Sequence, residues 1–288
     1  MRILNRSVSW AARRIGAWPL AAIGAHSRAE ILENLTEEAI TVTIIPGGEI
    51  RFYTPTPLLI SRATSVLSKE TDTIHWIDGF EHGSVFWDVG ANVGVYSFYA
   101  AIVKGASVLA FEPSAANCYV LSRNIQLNQL SNQVIAYCLA FSEHTQLGVL
   151  NMSSARMGAA ISQFGEVTEM SPYWEGGPGV AEQGMIGFSI DDFIDQFDPR
   201  FPNHLKLDVD GLEVSILDGA QKTIRDPRLR SLLVELSVNR ESEYRNALQF
   251  LEDAGFRFVS RGVMQGTQTE PAANHIFQRV TDMNTVPD

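Results

Sequence analysis

Apolar and polar residues follow two distinct patterns from residue 85 onward. Short apolar runs typical of buried strands lie at 85–89, 107–111, 134–141, 204–209 and 232–236. Runs with helical periodicity follow most of them and end near residues 103, 129, 224 and 254. Strands that alternate with helices predict right-handed crossovers and a parallel sheet that is covered on both faces.

Two further apolar runs, at 256–260 and 275–280, have no helical pattern between them. They predict an antiparallel hairpin that closes one edge of the sheet. The expected fold class is therefore α/β: a doubly wound, Rossmann-like, mostly parallel sheet of seven strands with an antiparallel C-terminal hairpin.

The remaining segments predict additions to this sheet. Residues 143–188 contain many glycines and serines and predict a loop-rich insertion. Upstream, strand-like runs at 40–45 and 50–53 flank a Pro-Gly-Gly turn and predict a hairpin. We therefore expect an N-terminal helical and cap segment over 1–75 and a larger α/β domain over 76–288.

The charge of the chain is unevenly distributed. The whole chain carries 22 Lys and Arg against 33 Asp and Glu, a formal charge of −11, yet residues 1–28 hold five arginines and no acid. Apolar residues recur at helical spacing before Pro19 and predict a basic amphipathic helix. Such a helix suits either an anionic membrane surface or an acidic surface of this chain or of a second subunit in a homo-oligomer.

Composition also disfavours several classes of protein. An acidic chain is unlike proteins that bind the phosphate backbone of nucleic acids, which usually present a basic surface. Cys118 and Cys138 are the only cysteines, so a disulfide framework is excluded and a reducing, cytoplasmic location is expected.

The residues at the carboxyl ends of the first two strands indicate a nucleoside site. The first strand ends in a loop with the spacing G-x-x-x-G, from Gly90 to Gly94, and Glu112 ends the second strand. In doubly wound sheets ligands bind at these strand ends, and an acid at this position accepts hydrogen bonds from ribose hydroxyls. The loop lacks the second glycine of a dinucleotide site. A nucleoside cofactor without phosphates, such as S-adenosylmethionine, fits this loop better.

Three motifs together resemble those of the FkbM-type methyltransferase family: DVGANVGVYS over 88–97, FEP over 111–113 and LKLDVDGLE over 205–213. The resemblance implies a class I, S-adenosylmethionine-dependent enzyme that methylates a hydroxyl of a sugar, a glycan or another small natural product. Asp210 stands where the family usually has Glu. The cofactor-binding residues that the resemblance implies are Asp88, Gly90, Asn92, Gly94, Tyr96, Ser97, Glu112 and Pro113.

The fourth strand carries the predicted catalytic groups. Side chains alternate along a strand, so Lys206, Asp208 and Asp210 are expected on one face, with Lys206 and Asp208 as an ion pair. Asp208 is the favoured general base. Asp210 is either catalytic or a helix N-cap partnered by Glu213, and His275 is either catalytic or structural.

Two questions stay open from the residues alone. Asp208, Asp210 and Glu235 could together ligate Mg²⁺, but Lys206 and helix caps also explain these acids. A non-catalytic nucleoside-binding or assembly subunit is an alternative to an enzyme. An NAD-linked oxidoreductase is a weaker alternative because of the missing glycine.

Overall fold

The computed structural model describes residues 24–165, 181–262 and 272–280. The chain divides into two compact units, 1–40 and 41–288. The predicted amphipathic helix before Pro19 lies outside the described residues, and the described part of the first unit is mainly a helix that contains Arg28. Within the described ranges, no helix combines the length and apolar character that a membrane-spanning helix requires.

The elements follow one another in chain order. The first half contains α1 (Ala25–Glu37), β1 (Ile40–Ile45), β2 (Gly48–Tyr53), α2 (Pro57–Thr64), α3 (Thr71–Asp78), β3 (Val85–Val89), α4 (Val95–Lys104), β4 (Ser107–Phe111), α5 (Ala115–Leu127), β5 (Val134–Tyr137) and β6 (Ala140–Phe141). The second half contains β7 (Gln146–Met152), β8 (Ser162–Phe164), β9 (Ala181–Phe188), α6 (Ile190–Phe197), β10 (His204–Leu207), α7 (Glu213–Asp218), α8 (Gln221–Arg225), β11 (Ser231–Ser237), α9 (Glu241–Asp253), β12 (Phe256–Arg261) and β13 (Ala272–Arg279).

Within the described residues, the main sheet has seven strands in the order β12-β13-β11-β10-β3-β4-β5. The five strands from β11 to β5 are parallel, and β13 runs antiparallel to both of its neighbours. The predicted fold class and the C-terminal hairpin are confirmed. The last strand of the hairpin lies inside the sheet and β12 forms the edge.

The alternation of side chains along each strand divides the core into two layers. Phe86 packs on the face covered by α3, α4 and α5, while Trp87 packs on the face covered by α6, α7, α8 and α9. Both side chains are fully buried, and each such burial contributes about 1.5–3 kcal/mol to stability. Asp88 and Lys206 occupy neighbouring positions in β3 and β10 and lie on the Phe86 face.

The segment from 41 to 78 adds to this same face. The hairpin of β1 and β2 forms as predicted. Two helices that the sequence pattern did not reveal, α2 and α3, follow it. Thr56 caps α2 by accepting a hydrogen bond from the Leu59 N–H at 3.4 Å, and Pro57 opens the helix. Ile50 and Phe52 are buried in one cluster with Phe98 of α4.

Two predictions about the region after β4 are wrong. The expected strand over 134–141 is interrupted, because β6 leaves the main sheet to pair with β9. The expected loop-rich insertion contains β7, β8 and β9, which form a second sheet with β6 in the order β6-β9-β7-β8. Residues 166–180 of this insertion lie outside the described residues.

The glycines that suggested loops in this region have a packing role. A Cβ at Gly187 of β9 would lie 2.3 Å from the ring of Phe164, and one at Gly148 of β7 would lie 2.7 Å from it. These strands therefore need glycine in order to accommodate the buried ring. Frequent glycines usually indicate a loop. In this insertion they belong to two strands that pack against an aromatic side chain.

The fourth strand and the helix after it are shorter than predicted. β10 ends at Leu207 and not at Val209, because the backbone turns at Asp210 and Gly211, both of which have positive φ. The helix expected over 211–224 is divided at Gly219, where a Cβ would lie 2.5 Å from the carbonyl oxygen of Ser142. Asp208 and Asp210 therefore lie in a turn, so the expected strand alternation does not extend to them.

Substitution of Gly187 tests the packing of the second sheet. Gly187→Ala should lower the free energy of unfolding by about 1–3 kcal/mol, because the added methyl group overlaps the Phe164 ring. Gly184→Ala in the same strand is the matched control, since a Cβ there meets nothing within 4 Å. Chemical denaturation of both variants measures the difference, and equal stabilities would contradict this account.

Candidate cofactor and acceptor site

A cavity of about 200 Å³ lies where the carboxyl ends of β3, β4 and β10 meet. We call it the cofactor cavity. Five of the predicted cofactor-binding residues line it: Gly90, Asn92, Tyr96, Glu112 and Pro113. The predicted catalytic residues Lys206, Asp208 and Asp210 also line it, together with Glu235.

Glu112 is a buried carboxyl group in the wall of this cavity. Its Oε2 accepts a hydrogen bond from the Asn92 N–H at 2.9 Å. Its Oε1 accepts from the Ser114 N–H at 2.9 Å and from Asn117 Nδ2 at 3.3 Å. Burial raises the pKa of Glu112 to about 7, although these hydrogen bonds favour the charged form. The carboxyl group is thus held in one orientation while it lines the cavity.

The two loop glycines, Gly90 and Gly94, pack closely against other parts of the protein. A Cβ at Gly90 would lie 1.8 Å from the carbonyl oxygen of Asp208, and one at Gly94 would lie 2.5 Å from the Phe98 ring. Both residues have positive φ, which favours glycine. Their small size therefore serves contacts within the protein, and Gly94 does not line the cavity.

Asp88 and Ser97 lie beneath the cavity and do not line it. Both are buried, and the Ser97 hydroxyl donates a hydrogen bond to Asp88 Oδ2 at 2.6 Å. Burial raises the pKa of Asp88, and the neighbouring Lys206 charge acts in the opposite direction. This pair connects β3 to the first turn of α4 and places a carboxyl group next to the lysine.

Lys206 is the centre of a buried group of charges. The predicted ion pair is confirmed, with 2.6 Å between Lys206 Nζ and Asp208 Oδ2. Burial alone would lower the pKa of Lys206, but Asp208, Asp88 and Glu70 hold it above its usual value. The lysine therefore keeps its positive charge although it is only 1% exposed.

Glu70 also belongs to this group, although no sequence pattern indicates its role. It lies at the N-cap of α3, where Lys69 Nζ approaches its Oε1 at 2.7 Å. Burial would raise the pKa of Glu70, but Lys206 and Lys69 lower it to about 2. Glu70 also hydrogen-bonds the Tyr96 hydroxyl, whose pKa is raised by burial and by this negative charge. Glu70 is therefore a permanent negative charge in the cavity wall.

Glu235 of β11 differs from Glu70 in that the pKa of its carboxyl group is raised and not lowered. Burial raises its pKa to about 9, and the negative charges of Asp208, Glu213 and Asp210 act in the same direction. The neutral form of the group is accordingly favoured at neutral pH, and in that form a carboxyl group can donate a hydrogen bond. The cofactor cavity thus combines the ion-paired Asp208 with a neutral acid.

Residues 157–162, which we call the strap, form another wall of the cavity. Asn92 Nδ2 and Asn117 Nδ2 both donate to the carbonyl oxygen of Ala159, at 2.9 and 3.0 Å. Arg62 of α2 donates to the carbonyl oxygen of Gly158 through Nη2 at 3.0 Å. The Asn92 N–H and the Asn117 side chain also donate hydrogen bonds to Glu112, so these two residues connect the strap to the predicted ribose site.

Asp210 holds the end of the strap. Its Oδ2 accepts hydrogen bonds from the backbone N–H groups of Ile161 at 2.7 Å and Ser162 at 3.1 Å. Ile161 has a φ of 66°, which is strained for a β-branched residue, and the Asp210 bond fixes it there. Burial raises the pKa of Asp210, and these hydrogen bonds oppose the shift.

The N-cap alternative for Asp210 is therefore wrong. The helix α7 begins at Glu213 with no side-chain cap, because Asp210 is turned toward the strap. Glu213 instead reaches back and accepts hydrogen bonds at its Oε1 from the N–H groups of Val209 at 2.8 Å and Gly211 at 3.2 Å. It stabilises the turn that carries Asp208 and Asp210.

His275 lies away from these groups, so the geometry does not bring this catalytic candidate to the cavity. It is fully buried in β13, with Nδ1 at 2.8 Å from the carbonyl oxygen of Ala273. Its Nε2 is 3.3 Å from the Tyr244 hydroxyl, and it does not line the cofactor cavity.

The motifs that line this cavity match those of one protein family. The family model described as "Methyltransferase FkbM domain" matches residues 88–258, more than half of the chain. The chain belongs to the FkbM methyltransferase family. This membership confirms the resemblance seen in the three motifs and supports S-adenosylmethionine-dependent methyl transfer as the class of chemistry.

Solved structures resemble this FkbM methyltransferase at low sequence identity. It resembles precorrin-6y C5,15-methyltransferase from Geobacter metallireducens GS-15 at 12% identity and a TM-score of 0.42, over 73% of this chain and 87% of that one. It resembles M. jannaschii TYW2 in complex with AdoMet at 12% identity and a TM-score of 0.40, over 84% of this chain and 88% of that one. No curated protein matches it.

The residues of the FkbM methyltransferase fit a nucleoside cofactor with a positive charge. Asn92 lines the cavity, and its buried Oδ1 has no partner among the described residues, so it is available to accept a hydrogen bond from a ligand. Glu112 is placed to accept ribose hydroxyls. Glu70 and Asp208 provide negative charge on the same cavity, which favours a sulfonium group.

The magnesium site considered from the sequence has no support in the geometry. Within the described residues, no three His, Cys, Asp or Glu side chains converge on a point that could hold a metal ion. Asp210 is engaged by the strap and Asp208 by Lys206. The three candidates Asp208, Asp210 and Glu235 therefore do not converge as a set of three ligands.

Substitution of Asp210 tests its role in holding the strap. Asp210→Gly removes the carboxylate and tolerates the positive φ, so amide exchange at Ile161 and Ser162 should become about tenfold faster or more. Asp210→Asn is the matched control, because Asn also accepts this backbone conformation and retains an acceptor oxygen. Hydrogen exchange measures both variants, and unchanged exchange in Asp210→Gly would contradict the proposed role.

Proposed function

We propose that this FkbM methyltransferase transfers a methyl group from S-adenosylmethionine to a hydroxyl group of a sugar, a glycan or another small natural product. The observation that carries the proposal is the convergence of Glu112 and Asp208 on one cavity at the strand ends. Glu112 suits the binding of a nucleoside, and Asp208 suits the removal of a proton from an acceptor hydroxyl. Family membership supports the methyl transfer itself.

Different residues of the cavity bind different parts of the cofactor. Glu112 accepts the ribose hydroxyls, and Asn92 offers its unpaired amide oxygen to a donor on the cofactor. The negative charges of Glu70 and Asp208 favour a cationic ligand over the neutral product that remains after transfer. S-adenosylmethionine supplies a methyl group on an excellent leaving group, so the protein chiefly needs to position the acceptor.

Asp208 is the group we assign to the acceptor proton. As the carbon–oxygen bond forms and the carbon–sulfur bond breaks, the hydroxyl proton passes to the Asp208 carboxylate. Lys206 Nζ, at 2.6 Å, pairs with this carboxylate and fixes its position. The neutral Glu235 donates a hydrogen bond that orients the acceptor oxygen.

Two substitutions separate binding from transfer. Glu112→Ala should weaken S-adenosylmethionine binding by about tenfold or more, because it removes the ribose acceptor. Asp208→Asn should leave the binding of S-adenosylhomocysteine, which has no sulfonium charge, nearly unchanged and reduce turnover by about 100-fold or more, in the range typical of general bases. Calorimetry measures binding, and a radiolabelled methyl-transfer screen over sugars and phenols measures turnover.

Controls and contrary outcomes follow from the same experiments. Glu49→Ala is the control, since Glu49 is exposed and bonds only Arg51 among the described residues. Failure of the folded wild-type protein to bind S-adenosylmethionine or S-adenosylhomocysteine would refute the proposal. Binding without transfer to any acceptor would instead favour a non-catalytic nucleoside-binding subunit.

A further inference from the structure

A second cavity, of about 420 Å³, lies at the opposite end of the main sheet, beside the first residues of β10 and β11. It shares no lining residue with the cofactor cavity. Its volume is within the range of about 300–1,000 Å³ that small-molecule sites usually have, and far above the roughly 30 Å³ of one water molecule. The cavity is therefore large enough for an organic ligand.

His204 supplies the main polar group of this cavity. The side chain is 5% exposed, and its ring stacks on Phe80 with 3.7 Å between ring centroids and an interplanar angle of 5°. Its Nδ1 lies 2.7 Å from Ser231 Oγ. Its Nε2 is buried and has no partner among the described residues. The stacking and the Ser231 contact hold the ring, so the unpaired nitrogen has a fixed position.

The hydrogen bonds around His204 determine which of its two ring nitrogens carries the proton. Burial, assisted by the Arg230 charge, lowers the pKa of His204 to about 3, so the ring is neutral and has a single N–H. The Trp76 indole donates to Ser231 Oγ at 2.9 Å. If Ser231 donates its own proton to His204 Nδ1, only Nε2 is left unpaired. The reverse arrangement leaves both the Ser231 proton and Nε2 unpaired, which costs more. Nε2 therefore carries the proton and is a buried donor.

The other lining groups restrict the ligand further. Trp76, Phe80, Val259 and Ile276 provide apolar walls. Arg230 is ion-paired with Glu81, so these two charges compensate each other, and burial raises the pKa of the remaining acid, Asp72. Asp72 Oδ2 is buried and has no partner among the described residues, which leaves an oxygen for a ligand donor. A fitting ligand is neutral and carries an acceptor and a donor on an apolar body.

We propose that the second cavity binds a small neutral molecule with an apolar, planar body and an amide-like group, whose carbonyl oxygen accepts the hydrogen bond of His204 Nε2. The donor of the same amide-like group has the unpaired Asp72 oxygen available. The site depends on the amino ends of β10 and β11 and not on the residues assigned to methyl transfer.

Benzamide is a suitable probe, because it has a flat ring with one carbonyl acceptor and an amide donor. Calorimetric titration of the full chain with benzamide should give saturable binding, and toluene, which lacks the acceptor, should bind about tenfold more weakly or worse. His204→Phe keeps an aromatic ring that can stack on Phe80 but removes the donor, so it should lose about tenfold in benzamide affinity. His144→Phe is the matched control, since His144 is exposed and does not line the cavity.

A second measurement covers the possibility that His204→Phe fails to fold. In the wild-type protein labelled with ¹⁵N-histidine, the His204 Nε2–H resonance should be visible and should shift when benzamide is added. Failure of benzamide to bind the folded wild-type protein, equal binding to His204→Phe, or an unchanged Nε2–H resonance would overturn the proposal. Displacement of benzamide by S-adenosylhomocysteine would also overturn it, because the probe would then occupy the cofactor cavity. Since the benzamide titration needs no S-adenosylmethionine, its result is independent of the proposed methyl transfer.

Discussion

The positive charge of Lys206 is buried in the middle of the main sheet, and the site is arranged around it. A buried ammonium group is tolerated only when negative partners surround it. Those partners come from three separate elements: Asp88 from β3, Asp208 from the turn after β10 and Glu70 from the start of α3. The need to neutralise one charge therefore fixes the relative positions of the elements that enclose the cofactor cavity.

A second constraint connects this charge group to the strap. The turn after β10 approaches β3 so closely that only glycine fits at position 90. The same turn carries Asp208, which pairs with Lys206, and Asp210, which holds the N–H groups of Ile161 and Ser162. A movement of this turn would change the ion pair and the strap together, so the proton acceptor and the wall of the cavity form one structural unit.

The sequence predicted those features that depend on local pattern. The strands at 85–89 and 107–111 are continuous apolar runs. The separation of Lys206 and Asp208 by only one residue predicts their ion pair, which forms although Asp208 lies in the turn after β10. Glu70 and Arg62 could not be found in this way, because they reach the cavity from helices that precede all three motifs, through contacts that no spacing reveals. The insertion was misinterpreted because Gly148 and Gly187, which suggest loops, make room for the Phe164 ring.

The central claim is that Glu112 and the Lys206–Asp208 pair belong to one cofactor site. A crystal structure of the full chain with S-adenosylhomocysteine tests it most directly. We predict that the ribose hydroxyls lie within hydrogen-bond distance of the Glu112 carboxylate and that the nucleoside occupies the cofactor cavity beside the strap. A nucleoside bound elsewhere, with Glu112 still bonded only to Asn92, Ser114 and Asn117, would contradict the claim.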